Sequence, residues 1–81
     1  LALSPEESAY IDLKLTLAKH LMKRRRALNL TQMALARRLK SSQSRIAKME
    51  SGDPSVSVDL LVRSLLTLGT PKHTLRRTLP T

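Results

Sequence analysis

Two short stretches with a helical spacing of apolar residues, 32–39 and 43–51, are separated by only three residues, Lys40-Ser41-Ser42. So short a break makes the second helix fold back across the first instead of running away from it. In the first stretch Leu35 and Leu39 recur at i, i+4, and Ala36 lets another helix approach closely; in the second, Ile46 and Met49 recur at i, i+3. Thr31 and Ser42 stand where hydroxyl caps belong, and Gly52 stands where the second helix must stop. The segment predicts two helices whose crossing angle is fixed by Leu35, Ala36, Leu39, Ile46 and Met49.

The flanking sequence predicts more helix. Ser4-Pro5-Glu6-Glu7 has a cap, a proline at the first helical position and the spacing of a capping box. Leu13, Leu17, Leu21 and Leu28 then share a face, with Tyr10 and Ala18 beside them, and Arg24 falls where another apolar residue would extend the stripe. Asn29 suits a left-handed stop. Ser57 caps a helix over 58–68 with Leu61, Leu65 and Leu68 as its stripe and Gly69 as its end. The segment 70–81 holds two prolines and reads as a loose tail with a turn of helix around 74–78. The expectation is an all-α domain of four to five helices over 1–69, followed by a C-terminal tail over 70–81. A chain of 81 residues has a small core, so a second copy would add stability and a homodimer is expected. The apolar surplus at Leu60, Leu61, Leu68, Leu75 and Leu79 marks helix four and the tail as the dimer surface, with the long first helix as the alternative.

Charge narrows the function. Fifteen Lys and Arg against six Asp and Glu give a formal net charge of +9, which suits a polyanionic partner. Tyr10 is the only aromatic residue, which argues against single strands and RNA, whose bases stack on aromatic rings. No apolar run approaches the ~20 residues that span a bilayer, and no export signal is visible, so a cytoplasmic location is expected. There is no cysteine, His20 and His73 are isolated, and no serine has a histidine and carboxylate placed to activate it. No catalytic, metal or cofactor site is therefore expected. Met22, Met33 and Met49 read as packing residues.

Two short helices with a tight turn and a polar start to the second form a helix-turn-helix. In such units the second helix enters the major groove and its N-terminal side chains reach base edges. Gln43, Ser44, Ala47 and Lys48 fall on one outward face, with Arg45 beside them and Ser42 at the helix start. Arg37, Arg38 and Lys40 add to the positive field.

From the L-T-Q at Leu30 to the M-E-S-G that ends at Gly52, the sequence resembles the Xre/Cro/C1 family of phage repressors and bacterial regulators. The resemblance runs without gaps over 30–52, and over 13–69 with the flanking helices. It implies a compact lambda-repressor-like fold and double-stranded DNA as partner. By the same resemblance Gln32 contacts the DNA backbone, Gln43 is the first base reader, and Ser44 and Lys48 are base-facing. Arg25 is implied to pair with Glu50 and hold the first helix against the recognition helix. Two positions depart from the family pattern. Lys40 stands where glycine is usual, and a lysine there with positive φ costs about 1 kcal/mol or more; a lysine can also reach a phosphate. Ser41 stands where valine is common. The S-P-E-E start, S-Q-S-R and S-V-D-L-L-V-R-S-L-L-T-L-G further resemble antitoxins of toxin–antitoxin operons, which implies a toxin protein as an alternative partner.

Overall fold

In a computed structural model, which describes residues 3–78, five helices follow one another: α1 Pro5–Ala27, α2 Gln32–Arg38, α3 Gln43–Ser51, α4 Val58–Thr67 and α5 Lys72–Thr78. No strand occurs among the described residues. The fold is all-α, as the sequence predicts.

Local chemistry sets the helix ends. The hydroxyls of Ser4, Thr31, Ser42 and Ser57 each accept the N–H three residues on, from Glu7, Ala34, Arg45 and Leu60, at 3.0–3.2 Å. Each satisfies a backbone donor that the first helical turn leaves unpaired. Glu7 makes no return bond to Ser4, so only the serine half of the expected capping box forms. At the other ends, α1 to α4 close with the same two backbone bonds. In α1 these are Asn29 N–H to the Arg26 carbonyl and Leu30 N–H to the Arg25 carbonyl. The residue that turns left-handed is Asn29, Lys40, Gly52 and Gly69 in chain order. Gly52 suits its backbone, and a side chain there would also push the Leu15 side chain aside. Its φ is +69°, and a Cβ there would lie 2.7 Å from Leu15 Cδ2, so α1 and α3 touch through the missing side chain.

The hub of the fold is α1, which packs against α3, α4 and α5, while α2 packs on α3. Leu17 and Leu21 of α1, Leu35 of α2, Ile46 and Met49 of α3, and Leu61 and Leu65 of α4 form the centre of the core. Leu13, Leu28 and Leu39 pack partly buried at its edge.

Three sequence expectations are corrected. The segment after Gly69 is not a loose tail over its described part. It forms α5 from Lys72, and Leu75 is buried in the core beside α1. Leu61, Leu68 and Leu75, expected on a dimer surface, lie inside this chain's own core; Leu60 is partly buried and Leu79 lies outside the described residues. Five helices enclose more volume than four, and α5 absorbs the apparent surplus. Met33 is exposed rather than packed, because it falls on the outer side of the short α2.

Candidate nucleic-acid interface

The back of α3 is fixed and its front is free. Ile46 and Met49 sink into the core, and Glu50 beside them is buried. Gln43, Ser44, Arg45, Ala47 and Lys48 are all exposed. With 3.6 residues per turn, the same nine-residue helix anchors on one side and presents a polar and cationic row on the other.

Glu50 is the anchor. Arg25 of α1 donates to it twice, Nε to Oε2 at 2.6 Å and Nη2 to Oε1 at 3.0 Å. Gln32 at the start of α2 donates Nε2 to Oε1 at 3.2 Å. Arg25 Nη1 also reaches the Leu30 carbonyl at 2.9 Å. One carboxylate thus ties the end of α1, the following loop, the start of α2 and the end of α3. The Glu50 hydrogen bond and charge raise the Arg25 pKa further above its usual value, against a smaller opposing effect of burial. The guanidinium therefore stays charged.

The turn between α2 and α3 bends at Lys40, whose φ is +55°. Ser41 N–H closes it on the Ala36 carbonyl at 2.7 Å. Lysine does adopt the conformation for which glycine is usual, and the turn keeps its normal hydrogen bonds. Ser41 Oγ is buried and has no hydrogen-bond partner.

Two recesses flank α3. One, of about 350 Å³, is lined by Ser42, Ser44, Arg45, Lys48, Ser55 and Val56. The other, of about 230 Å³, lies between the turn and α4, where Lys40, Arg45 and Arg63 converge. The structure thus gathers Ser42, Ser44, Arg45 and Lys48 around one concavity and brings Lys40 to Arg45 around the next. Gln43 stands exposed at the N-terminus of α3 and lines neither. Gln32 is half-buried, with one amide N–H committed to Glu50.

A helix-turn-helix domain family matches residues 16–79. The chain belongs to the helix-turn-helix domain family. DNA binding is the activity of such domains, and the helix-turn-helix of this chain is α2, the Lys40 turn and α3 within a compact five-helix globule of lambda-repressor type. No curated protein and no solved structure matches the chain.

Sequence reasoning missed two residues beside α3, Ser55 and Arg63, and one that acts on α4, Arg24. Ser55 lines the recess beside Lys48. Its N–H and Oγ both donate to Asp53 Oδ1, at 2.9 and 2.6 Å, and these bonds, with weaker help from the charges of Lys48 and Lys14, hold the Asp53 carboxyl below its usual pKa. The Asp53-Pro54-Ser55 turn signal was visible, but its position against α3 was not. Arg63 stands exposed on α4, paired with Asp59, and lines the recess beside the Lys40 turn. Arg24, read as a break in an apolar stripe, donates Nε to the Leu68 carbonyl at 3.0 Å and so caps the end of α4. Among the described residues no group of side chains is placed to hold a metal ion, and no helix is long and apolar enough to cross a membrane.

Proposed function

We propose that this chain is a cytoplasmic transcriptional regulator of the Xre/Cro/C1 type, a repressor that binds double-stranded DNA as a homodimer and reads the major groove with α3. The observation that carries the proposal is the division of α3 into a rigidly held inner side and an exposed outer row of Gln43, Ser44, Arg45 and Lys48. In this reading Gln43 makes a paired contact to adenine, with Ser44 and Lys48 on neighbouring base edges. Ser42, Arg45, Lys40 and Gln32 take phosphates, Gln32 through the part of its amide that Glu50 leaves open. The net charge of +9 supplies the salt-sensitive share of affinity. A homodimer places two recognition helices about 34 Å apart, one turn of DNA, so the operator is a short inverted repeat.

Selection from random duplex DNA at near-physiological salt tests this. Enrichment of one inverted repeat supports the proposal. Weak binding with no enriched sequence overturns it, and favours the antitoxin reading, in which a toxin protein is the main partner.

A further inference from the structure

The inward stripe of α1 outruns the domain it serves. Leu17 and Leu21 are buried, and the same stripe continued toward the N-terminus passes through Lys14, Tyr10 and Glu7. Yet every residue from 5 to 12, the arm of α1, is exposed, over about 12 Å of helix. Tyr10 is 49% exposed and Ile11 41%, with Leu3 and Leu15 also open. A recess of about 320 Å³ lined by Tyr10, Ile11, Lys14, Leu15, Gly52 and Pro54 continues this face onto the body.

Two features of charge say what covers it. Lys14 is only 7% exposed, and it has no hydrogen bond or ion pair among the described residues. The charge of Asp53 acts on it without pairing with it. The covered part is its aliphatic stem, while the amino group reaches the surface at the recess it helps to line and stands open to a carboxylate. The arm supplies carboxylates: Glu6, Glu7 and Asp12 are half of the chain's six acidic residues. A strongly basic protein therefore has one acidic, partly apolar helix end next to a cation that makes no ion pair among the described residues.

We infer that the arm of α1 docks antiparallel on the arm of a second copy of this chain. A two-fold axis between residues 10 and 11 sets Tyr10 against the partner subunit's Ile11 and Glu7 against the partner subunit's Lys14. The symmetry repeats both pairings, so each copy gives a carboxylate and receives one. The inference rests on the reading of the chain as a dimeric regulator and names the surface through which it dimerises. The apolar groups involved are few, so the dimer is weak and depends on concentration.

Sedimentation equilibrium of the full chain without DNA tests it, on wild type, Glu7→Lys, Lys14→Glu, an equal mixture of those two, and Ile11→Ser. The wild type is expected to dimerise. Each reversal alone should weaken the dimer at least about tenfold, because it sets like charges together at both ends. The mixture should recover to within about threefold of wild type, since each reversed side chain then meets an opposite charge. Unchanged dimerisation of Glu7→Lys and Ile11→Ser overturns the inference, and those two exposed positions suffice if circular dichroism shows Lys14→Glu unfolded. A folded mixture that fails to recover overturns it too, as does a wild type that stays monomeric to about 1 mM. An inverted repeat enriched by a protein whose reversals do not exchange would leave the regulator standing and sink only this interface.

Discussion

Arg25 and Glu50 lie 25 residues apart and meet through two hydrogen bonds, with 13% and 5% of their side chains left exposed. The pair does more than join α1 to α3. Gln32 and the Leu30 carbonyl hang on the same two side chains, so the recognition helix is aimed by one covered cluster. Removing either partner leaves the other charge stranded. Arg25→Ala or Glu50→Gln should cost about 2–4 kcal/mol, read from urea denaturation. The double change Arg25→Met with Glu50→Leu should cost less than the two singles added. Arg25→Lys should not rescue, because lysine cannot make the two-pronged contact.

The Ser41 hydroxyl is a second point of strain. Buried and without a hydrogen-bond partner, it lost its contacts with water on folding and gained none in return. Ser41→Val should raise stability by about 1 kcal/mol, which in a chain of this size moves the Tm up by roughly 4–8 °C. Scanning calorimetry reads it directly. An unchanged or lowered Tm would mean that the site lacks room for the added methyl.

Lys40 sets stability against binding. Its φ of +55° costs roughly 1–2 kcal/mol, of which glycine would return part while adding freedom to the unfolded chain. Lys40→Gly should therefore stabilise the free protein by up to about 1 kcal/mol. It should also lower the slope of log affinity against log salt by about one phosphate contact. Titrations at several salt concentrations separate the two effects.

Asp53 gives the loop beside the recognition helix an acid limit. The Ser55 hydrogen bonds lower its pKa in the folded state. Their contribution is therefore complete above the ordinary carboxylate value of ~3.9 and is lost as pH falls through the lower folded value. Asp53→Asn should remove that part of the acid dependence and leave stability above about pH 5 with no added slope. Denaturation between about pH 2 and 6 checks it.

What the sequence made legible was local. Ser4, Thr31, Ser42 and Ser57 were readable as caps because each acts three residues away, and Asn29, Gly52 and Gly69 as stops for the same reason. The outward row on α3 followed from helical spacing alone. Arg24 was not legible, since its acceptor, the Leu68 carbonyl, lies 44 residues on. Neither was the burial of Lys14, whose position in the stripe marks it as inward but whose charge argues outward. The packing of α5 was hidden by the prolines at 71 and 80 on either side of it and by its single core side chain, Leu75. Ser55 and Arg63 were ordinary surface residues until the fold set them beside α3.

In the proposed regulator Gln43 reads a base from a helix held by Glu50. It is tested most directly by measuring the affinity of wild type and Gln43→Ala for the selected operator and for every single-base variant of it. Gln43→Ala should lose discrimination at one symmetric pair of positions by about 1–3 kcal/mol, with little change on unrelated DNA. An equal loss on all sequences, or no loss at any position, would contradict it.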